Sequence, residues 1–191
     1  MKKLLSLLFL CLYLNLQAQD TPEEKKIHYF FSVQSGLLAG KSAESITYTA
    51  STIHGVVIGN RLRVGGGLGI DSYDQWQTSP LFGSIGYDLL SYGNNGLFVQ
   101  VNYGWSHGWM QKQEGTASKS AGGGKMFNAM MGYRIKAGDL SVSISAGYKF
   151  QYVFSDYTYW YTNFGSTYPG YREHIDQDIE RFVFSLGIGW R

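Results

Sequence analysis

Alternation of apolar and polar side chains at every second position runs through this chain and constrains its fold more than any other feature. In LSVSISAGYKFQYVF, residues 140–154, one parity holds Leu140, Val142, Ile144, Ala146, Tyr148, Phe150, Tyr152 and Phe154; the other holds Ser141, Ser143, Ser145, Gly147, Lys149 and Gln151. GLFVQVNYGWS sets Leu97, Val99, Val101, Tyr103 and Trp105 against Phe98, Gln100, Asn102, Gly104 and Ser106. The last stretch, RFVFSLGIGWR, sets Phe182, Phe184, Leu186, Ile188 and Trp190 against Arg181, Val183, Ser185, Gly187, Gly189 and Arg191. Strands send successive side chains to opposite faces, whereas helices repeat every 3.6 residues, and no stretch past residue 19 carries a helical period or a second helix-spanning apolar run.

Eight segments alternate in this way: 27–39, 48–58, 62–71, 81–90, 97–106, 126–136, 140–154 and 179–191. The connections between them sort by parity. AGKSAES, SYDQWQTS, 107–125 and 155–178 are the longer ones; GNR, SYGNNG and AGD are short. A soluble sandwich or lipocalin has no reason to sort its loops, but an outer-membrane barrel does, with short periplasmic turns and longer extracellular loops. The sequence therefore predicts an all-β, eight-stranded, antiparallel up-and-down transmembrane β-barrel with both chain ends on the periplasmic side.

The first residues, MKKLLSLLFLCLYLNLQAQD, read as a secretory signal peptide over 1–19: Lys2 and Lys3, an apolar run over 4–14, and a small residue at Ala18. The apolar run falls short of the roughly 20 residues a spanning helix needs. The barrel domain is then 20–191. Cys11 is the only cysteine and leaves with the leader, so the mature chain offers neither disulfides nor thiol chemistry. Loss of Lys2 and Lys3 brings the basic count of 16 to 14 against 14 acids, a balance that gives no sign of a nucleic-acid partner.

The glycine run VGGGLGIDSY, residues 64–73, raises the question of a phosphate-cradling loop. Such a loop needs a strand before the glycines and a helix after them. Here GNR precedes and DSYDQWQTSP follows, so neither flank fits. Within a strand, Gly65, Gly67 and Gly69 share one face with Asp71 and suit the inner wall of a narrow barrel, where a small residue makes room for a long one opposite. Aromatic residues are placed as two girdles: Tyr73, Trp76, Trp105, Trp109, Tyr152 and Tyr157 near the long-loop ends, and Tyr87, Tyr92, Tyr133 and Trp190 near the short turns.

With these patterns the mature chain resembles the small eight-stranded outer-membrane β-barrel proteins, OmpA/OmpX-like in architecture. The most specific part is the end, where Phe182, Phe184 and Trp190 alternate in phase. The resemblance implies a partner, the barrel assembly machinery, which reads a terminal aromatic residue; closing on Arg191 weakens that signal. It also implies insertion among outer-membrane lipid and lipopolysaccharide, and no single activity.

The inward parity places Asp71, Asp88, Gln100, Asn102, Asn128, Arg134, Lys149 and Arg181 in the lumen. An eight-stranded interior is only wide enough for side chains, so these groups are expected to form a buried polar network in place of an open pore. Arg134 and Asp88 stand at similar height and are the expected ion pair. Ser106 and His107 are neighbours and so face opposite sides of a strand, which denies them a nucleophile–base contact, and the His-x-Ser pattern of a lipid A-trimming barrel hydrolase is missing. EHIDQDIE, residues 173–180, is acidic, and its even members continue an outward face above the membrane, where solvation accounts for them. No catalytic residue, metal ligand or cofactor site is assigned. Function then falls to the exposed loops, above all 155–178 with Tyr157, Tyr159, Trp160, Tyr161, Phe164, Tyr168 and Tyr171, which rim the membrane and pack on neighbouring loops or contact a protein, glycan or lipopolysaccharide. The expected role is non-enzymatic, structural or surface-interacting; the alternatives are a lipid A-modifying hydrolase and a narrow small-solute pore.

Overall fold

The computed structural model describes residues 27–40, 46–59, 61–92, 95–110, 118–163 and 166–191. The segment 1–19, read from the sequence as a signal peptide, lies outside them. Eight strands follow in order: β1 (Ile27–Ala39), β2 (Ile46–Ile58), β3 (Leu62–Tyr73), β4 (Trp76–Tyr92), β5 (Asn95–Met110), β6 (Ser118–Ala137), β7 (Leu140–Asn163) and β8 (Ser166–Trp190). Each pairs antiparallel with its chain neighbour, and β1 pairs with β8 from Phe31↔Trp190 to Ala39↔Phe182 to close the barrel. Gly59 and Gly138, in the turns GNR and AGD, take φ of 59° and 64°, a left-handed backbone that glycine adopts without Cβ strain.

Three expectations about loops are corrected. SYDQWQTS is no long loop: β3 runs to Tyr73 and β4 resumes at Trp76, leaving only Asp74 and Gln75 between them. The 155–178 segment is for the most part a paired hairpin, with Ser155↔Ile175 and Tyr157↔Glu173 in register and a bulge between Thr158 and Trp160. Part of 107–125 is likewise strand, since β5 reaches Met110 and β6 starts at Ser118. Among the described residues, the asymmetry between the two ends lies in how far the hairpins extend. The physical reason is that main-chain hydrogen bonds carry a strand pair into water, where side chains no longer need to alternate.

Alternation matches the wall. Leu81, Ile85, Leu68, Met131, Phe184 and Leu186 point outward and are exposed, forming a belt that only hydrocarbon can cover. On β8 the outward residues are apolar from Phe182 to Trp190, about the 9–11 residues a tilted strand needs to cross a bilayer, and give way to Glu180 and Asp178 above. Trp105, Trp109, Tyr87, Tyr133 and Trp190 face outward, as a girdle requires. Tyr73 and Trp76 do not: they are 1% and 4% exposed, inside the extracellular end of the lumen with Leu38, Met130, Val153 and Val183. Their parity, shared with Asp71 and Thr78, already put them inside. Tyr157 also leaves the girdle, standing above the belt on the axial face of the β7–β8 hairpin beside Tyr159. Of Tyr92 the backbone alone is described.

The glycine run lies in β3, and its inner member Gly67, like Gly132 of β6, answers to bulk on a neighbouring strand. A Cβ on Gly67 would sit 2.5 Å from the Phe82 ring, and one on Gly132 would sit 2.6 Å from Phe98. Small residues here make space for aromatic ones across a wall too tight to hold both.

Leu186→Arg, in the belt, is expected to cost about 2–4 kcal/mol in urea unfolding from lipid vesicles. Ser143→Arg points into the lumen and adds a cation there, so it is expected to cost more. If the two behaved alike, the inside–outside assignment would be wrong.

Candidate functional site

The lumen is filled in tiers by side chains from the inward parity of all eight strands. At the periplasmic end Asp88 of β4 receives three cations: Arg134 Nη1 at 2.5 Å, Lys136 Nζ at 3.5 Å and Arg63 Nη2 at 3.7 Å. The guanidinium of Arg134 lies 4.1 Å from the Phe98 ring centre, and that of Arg63 lies 5.4 Å from Phe30. In the middle, Gln34 donates to Gln100 at 3.3 Å and Gln100 donates to Asn102 at 3.1 Å. Towards the outside, Asp71 accepts from Thr49 at 2.6 Å and from Lys149 at 2.6 Å. The apolar residues around Tyr73 and Trp76 lie beyond it.

Of the predicted lumen residues, Asp71, Asp88, Gln100, Asn102, Asn128, Arg134 and Lys149 are all buried. They do not form one network. Asp88 with Arg134, and Asp71 with Lys149, are separate ion pairs flanking an amide rung, and Asn128 Oδ1 has no hydrogen-bond partner. Arg181 belongs to neither pair: it reaches Asp74 in the β3–β4 turn at 3.0 Å, at the extracellular mouth. Arg63, Lys136 and Thr49 are additional partners. Arg63 and Lys136 share the parity of residues already assigned to the lumen, two positions before Gly65 and two after Arg134, so extending the alternation finds them. The spaces left between tiers are about 10 and 20 Å³, room for roughly one water each. Side chains close the lumen.

Ser106 and His107 stand on opposite faces of β5. Ser106 Oγ accepts from Gln151 Nε2 at 2.5 Å inside the barrel, while the His107 ring lies 6.2 Å from Trp109 outside. Among the described residues no group of three His, Cys, Asp or Glu could hold a metal ion.

The β7–β8 hairpin carries β8 well beyond the belt. On its axial face Tyr157, Tyr159 and Tyr171 stack, with ring centres 6.5 and 6.3 Å apart and planes within 17° and 26°, and Tyr159 Oη donates to Glu173 at 3.4 Å. Below them a cleft of about 420 Å³ opens at the mouth, between the β3–β4 turn and β8, lined by Asp74, Trp76, Gln177, Asp178 and Arg181. Trp76 Nε1 donates to Gln177 across it at 3.0 Å. Trp160, Tyr161 and Tyr168 are described as paired backbone only, and Phe164 lies outside the described residues. On the opposite face His174 engages two carboxylates, Asp156 through Nδ1 at 2.6 Å and Asp176 through Nε2 at 3.0 Å. The hydrogen bond to Asp156 holds the imidazole above its ordinary pKa. Asp176, which also accepts from the Tyr152 hydroxyl, is held below the usual carboxylate range, chiefly by that bond.

No protein-family model matches the sequence, and no curated protein matches it. Solved structures do. The barrel is similar to the crystal structure of Neisserial surface protein A, with a TM-score of 0.56 at 11% identity over 87% of this chain and 99% of that one. It is also similar to the outer-membrane protein AlkL in lipid bilayers, with a TM-score of 0.44 at 13% identity over 90% and 95% of the two chains. The chain has the fold of the small eight-stranded outer-membrane β-barrels, and its apolar belt is the membrane-facing surface of that fold.

Asp88→Ala is expected to cost about 3–5 kcal/mol in urea unfolding, because it strands buried cations. Combined with Arg134→Ala it should cost less than the sum of the singles, by a coupling of about 0.5–3 kcal/mol. Strict additivity would show that the pair is not formed. For His174 the sign runs with the raised pKa: its contribution to the hairpin is full below the unfolded value of about 6.5 and is lost as pH climbs through the folded value. An NMR titration of the His174 ring should give a midpoint above that of His174 in Asp156→Asn.

Proposed function

We propose that this protein is a non-enzymatic outer-membrane barrel that works through its extracellular face, with the β7–β8 hairpin as the contact element for a protein or glycan at the cell surface. One observation carries this reading: an ordered tyrosine ladder stands above a lumen that side chains have closed. Tyr157, Tyr159 and Tyr171 offer flat amphipathic area at low entropic cost, the property that makes tyrosine common in recognition surfaces. The mouth cleft adds a polar floor, where Arg181, Asp74, Asp178 and Gln177 present both donors and acceptors.

The alternatives fare less well. A narrow pore needs a continuous polar path, and two ion pairs and an apolar layer stand in series along the axis. A lipid A hydrolase needs a nucleophile and base on one face at the membrane surface, and Ser106 with His107 does not supply them. Surrounding lipid, lipopolysaccharide and the barrel assembly machinery are the partners this reading requires.

Replacing Tyr157, Tyr159 and Tyr171 together by Ser is the direct test. The variant should insert and keep the heat-modifiable gel mobility of a folded barrel, yet lose binding to surface glycans on an array or to whole cells. Undiminished binding would move the contact elsewhere. In planar bilayers the wild-type protein is expected to show no resolved conductance steps; regular steps would favour the pore. Lipid A incubated with the protein should keep its mass, and loss of one acyl chain would favour the hydrolase.

A further inference from the structure

The periplasmic tier of the lumen is unbalanced in charge. Arg63, Arg134 and Lys136 all direct their cationic groups at the single carboxylate of Asp88, within 3.7 Å, leaving a surplus of two positive charges. The side chains of Arg134 and Asp88 are 8% and 3% exposed, and that of Arg63 is 14% exposed, so water does little to screen the surplus. Arg63 Nε is buried and has no hydrogen-bond partner. The rings of Phe30 and Phe98 compensate the guanidinium faces, but an aromatic face accepts nothing from N–H groups that lie in the guanidinium plane.

Against the two guanidiniums lies the void of about 20 Å³, lined by Arg63 and Arg134, by the polar side chains of Ser32 and Gln100 among others, and by the apolar Phe30 and Ile53. Its size admits a single particle of about the dimensions of water. The guanidiniums, hydroxyls and amides around it can all donate, and it contains no carboxylate. A cation placed there would meet the surplus with the same sign. A polyatomic anion would not fit.

We propose that this void is a binding site for one small monatomic anion of the chloride class, held between Arg63 and Arg134 and neutralising part of the surplus. Asp88 accepts from Arg134 at Oδ1 while its Oδ2 has no hydrogen-bond partner; the anion gives Arg63 Nε the acceptor it lacks and ties β3, β4 and β6 together at the periplasmic end. Entry is from the periplasm past Lys136, the most exposed of the three cations at 26%. This site stands apart from the extracellular contact face and does not depend on the reading of that face.

The test uses the mature barrel folded in detergent, with unfolding midpoints measured while sodium chloride is exchanged for sodium gluconate at constant ionic strength and pH. A rise with chloride that saturates is expected, since gluconate screens equally but is too large to enter. Coincident curves would reduce the effect to screening and overturn the site. Arg63→Gln should lose the chloride response, whereas Lys125→Gln, on the outer surface, should keep it; a response kept by Arg63→Gln would overturn the site. Should Arg63→Gln fail to fold, crystals of the wild-type barrel grown in bromide decide the matter. An anomalous peak in the void between Arg63 and Arg134 supports the proposal, and a void holding only water or nothing overturns it.

Discussion

Closure of the strand ring through β1 and β8 is the constraint on which everything else in this molecule rests. Hydrocarbon offers no hydrogen bonds, so each backbone N–H or C=O left open at a sheet edge costs several kcal/mol, and a sheet can cross a membrane only without edges. The pairing from Phe31↔Trp190 to Ala39↔Phe182 removes them. It also sets the bore. Eight strands enclose just enough space for side chains, and from that follow the glycines opposite Phe82 and Phe98 and the interdigitated tiers.

A closed bore turns polar side chains into a problem of partners. Every second residue must face inward, and at these positions the chain carries Asp71, Asp88, Arg134 and Lys149, which are tolerable only because each carboxylate meets a cation within hydrogen-bond distance. The two ends resolve this differently. Asp71 and Lys149 are one acid and one base, supported by Thr49. Asp88 is one acid among three bases, and two of the cations, Arg63 and Arg134, lie over the rings of Phe30 and Phe98, with a small void beside them. Above the belt water satisfies polar groups, and the β7–β8 hairpin can present tyrosines, carboxylates and His174 on two faces with no partner demanded by burial.

Much of this was legible beforehand. Period-two alternation identified the eight strands, the parity told lipid face from lumen, and the short turns GNR and AGD marked the periplasmic end. The inward residues could be named, including the pairing of Asp88 with Arg134, because parity and height along two strands are enough to bring them together. Strand ends were harder. Beyond the membrane, alternation of polarity is no longer enforced, so the strand pairs that continue through SYDQWQTS and into 155–178 read as loops, and Tyr73 and Trp76 read as girdle residues although their parity already put them inside.

The sequence by itself determined the class of structure and the face on which each side chain lies, since both follow from a local rule: strand side chains alternate, and bilayer and lumen demand opposite polarity. Beyond Asp88 with Arg134, only the tertiary structure decided which inward charges meet. Partners such as Arg63 and Asp88, or Lys149 and Asp71, come from strands whose relative height depends on the stagger of the whole ring. That stagger is a property of the closed barrel and of no single segment, and so are the three-to-one crowding around Asp88 and the void it leaves.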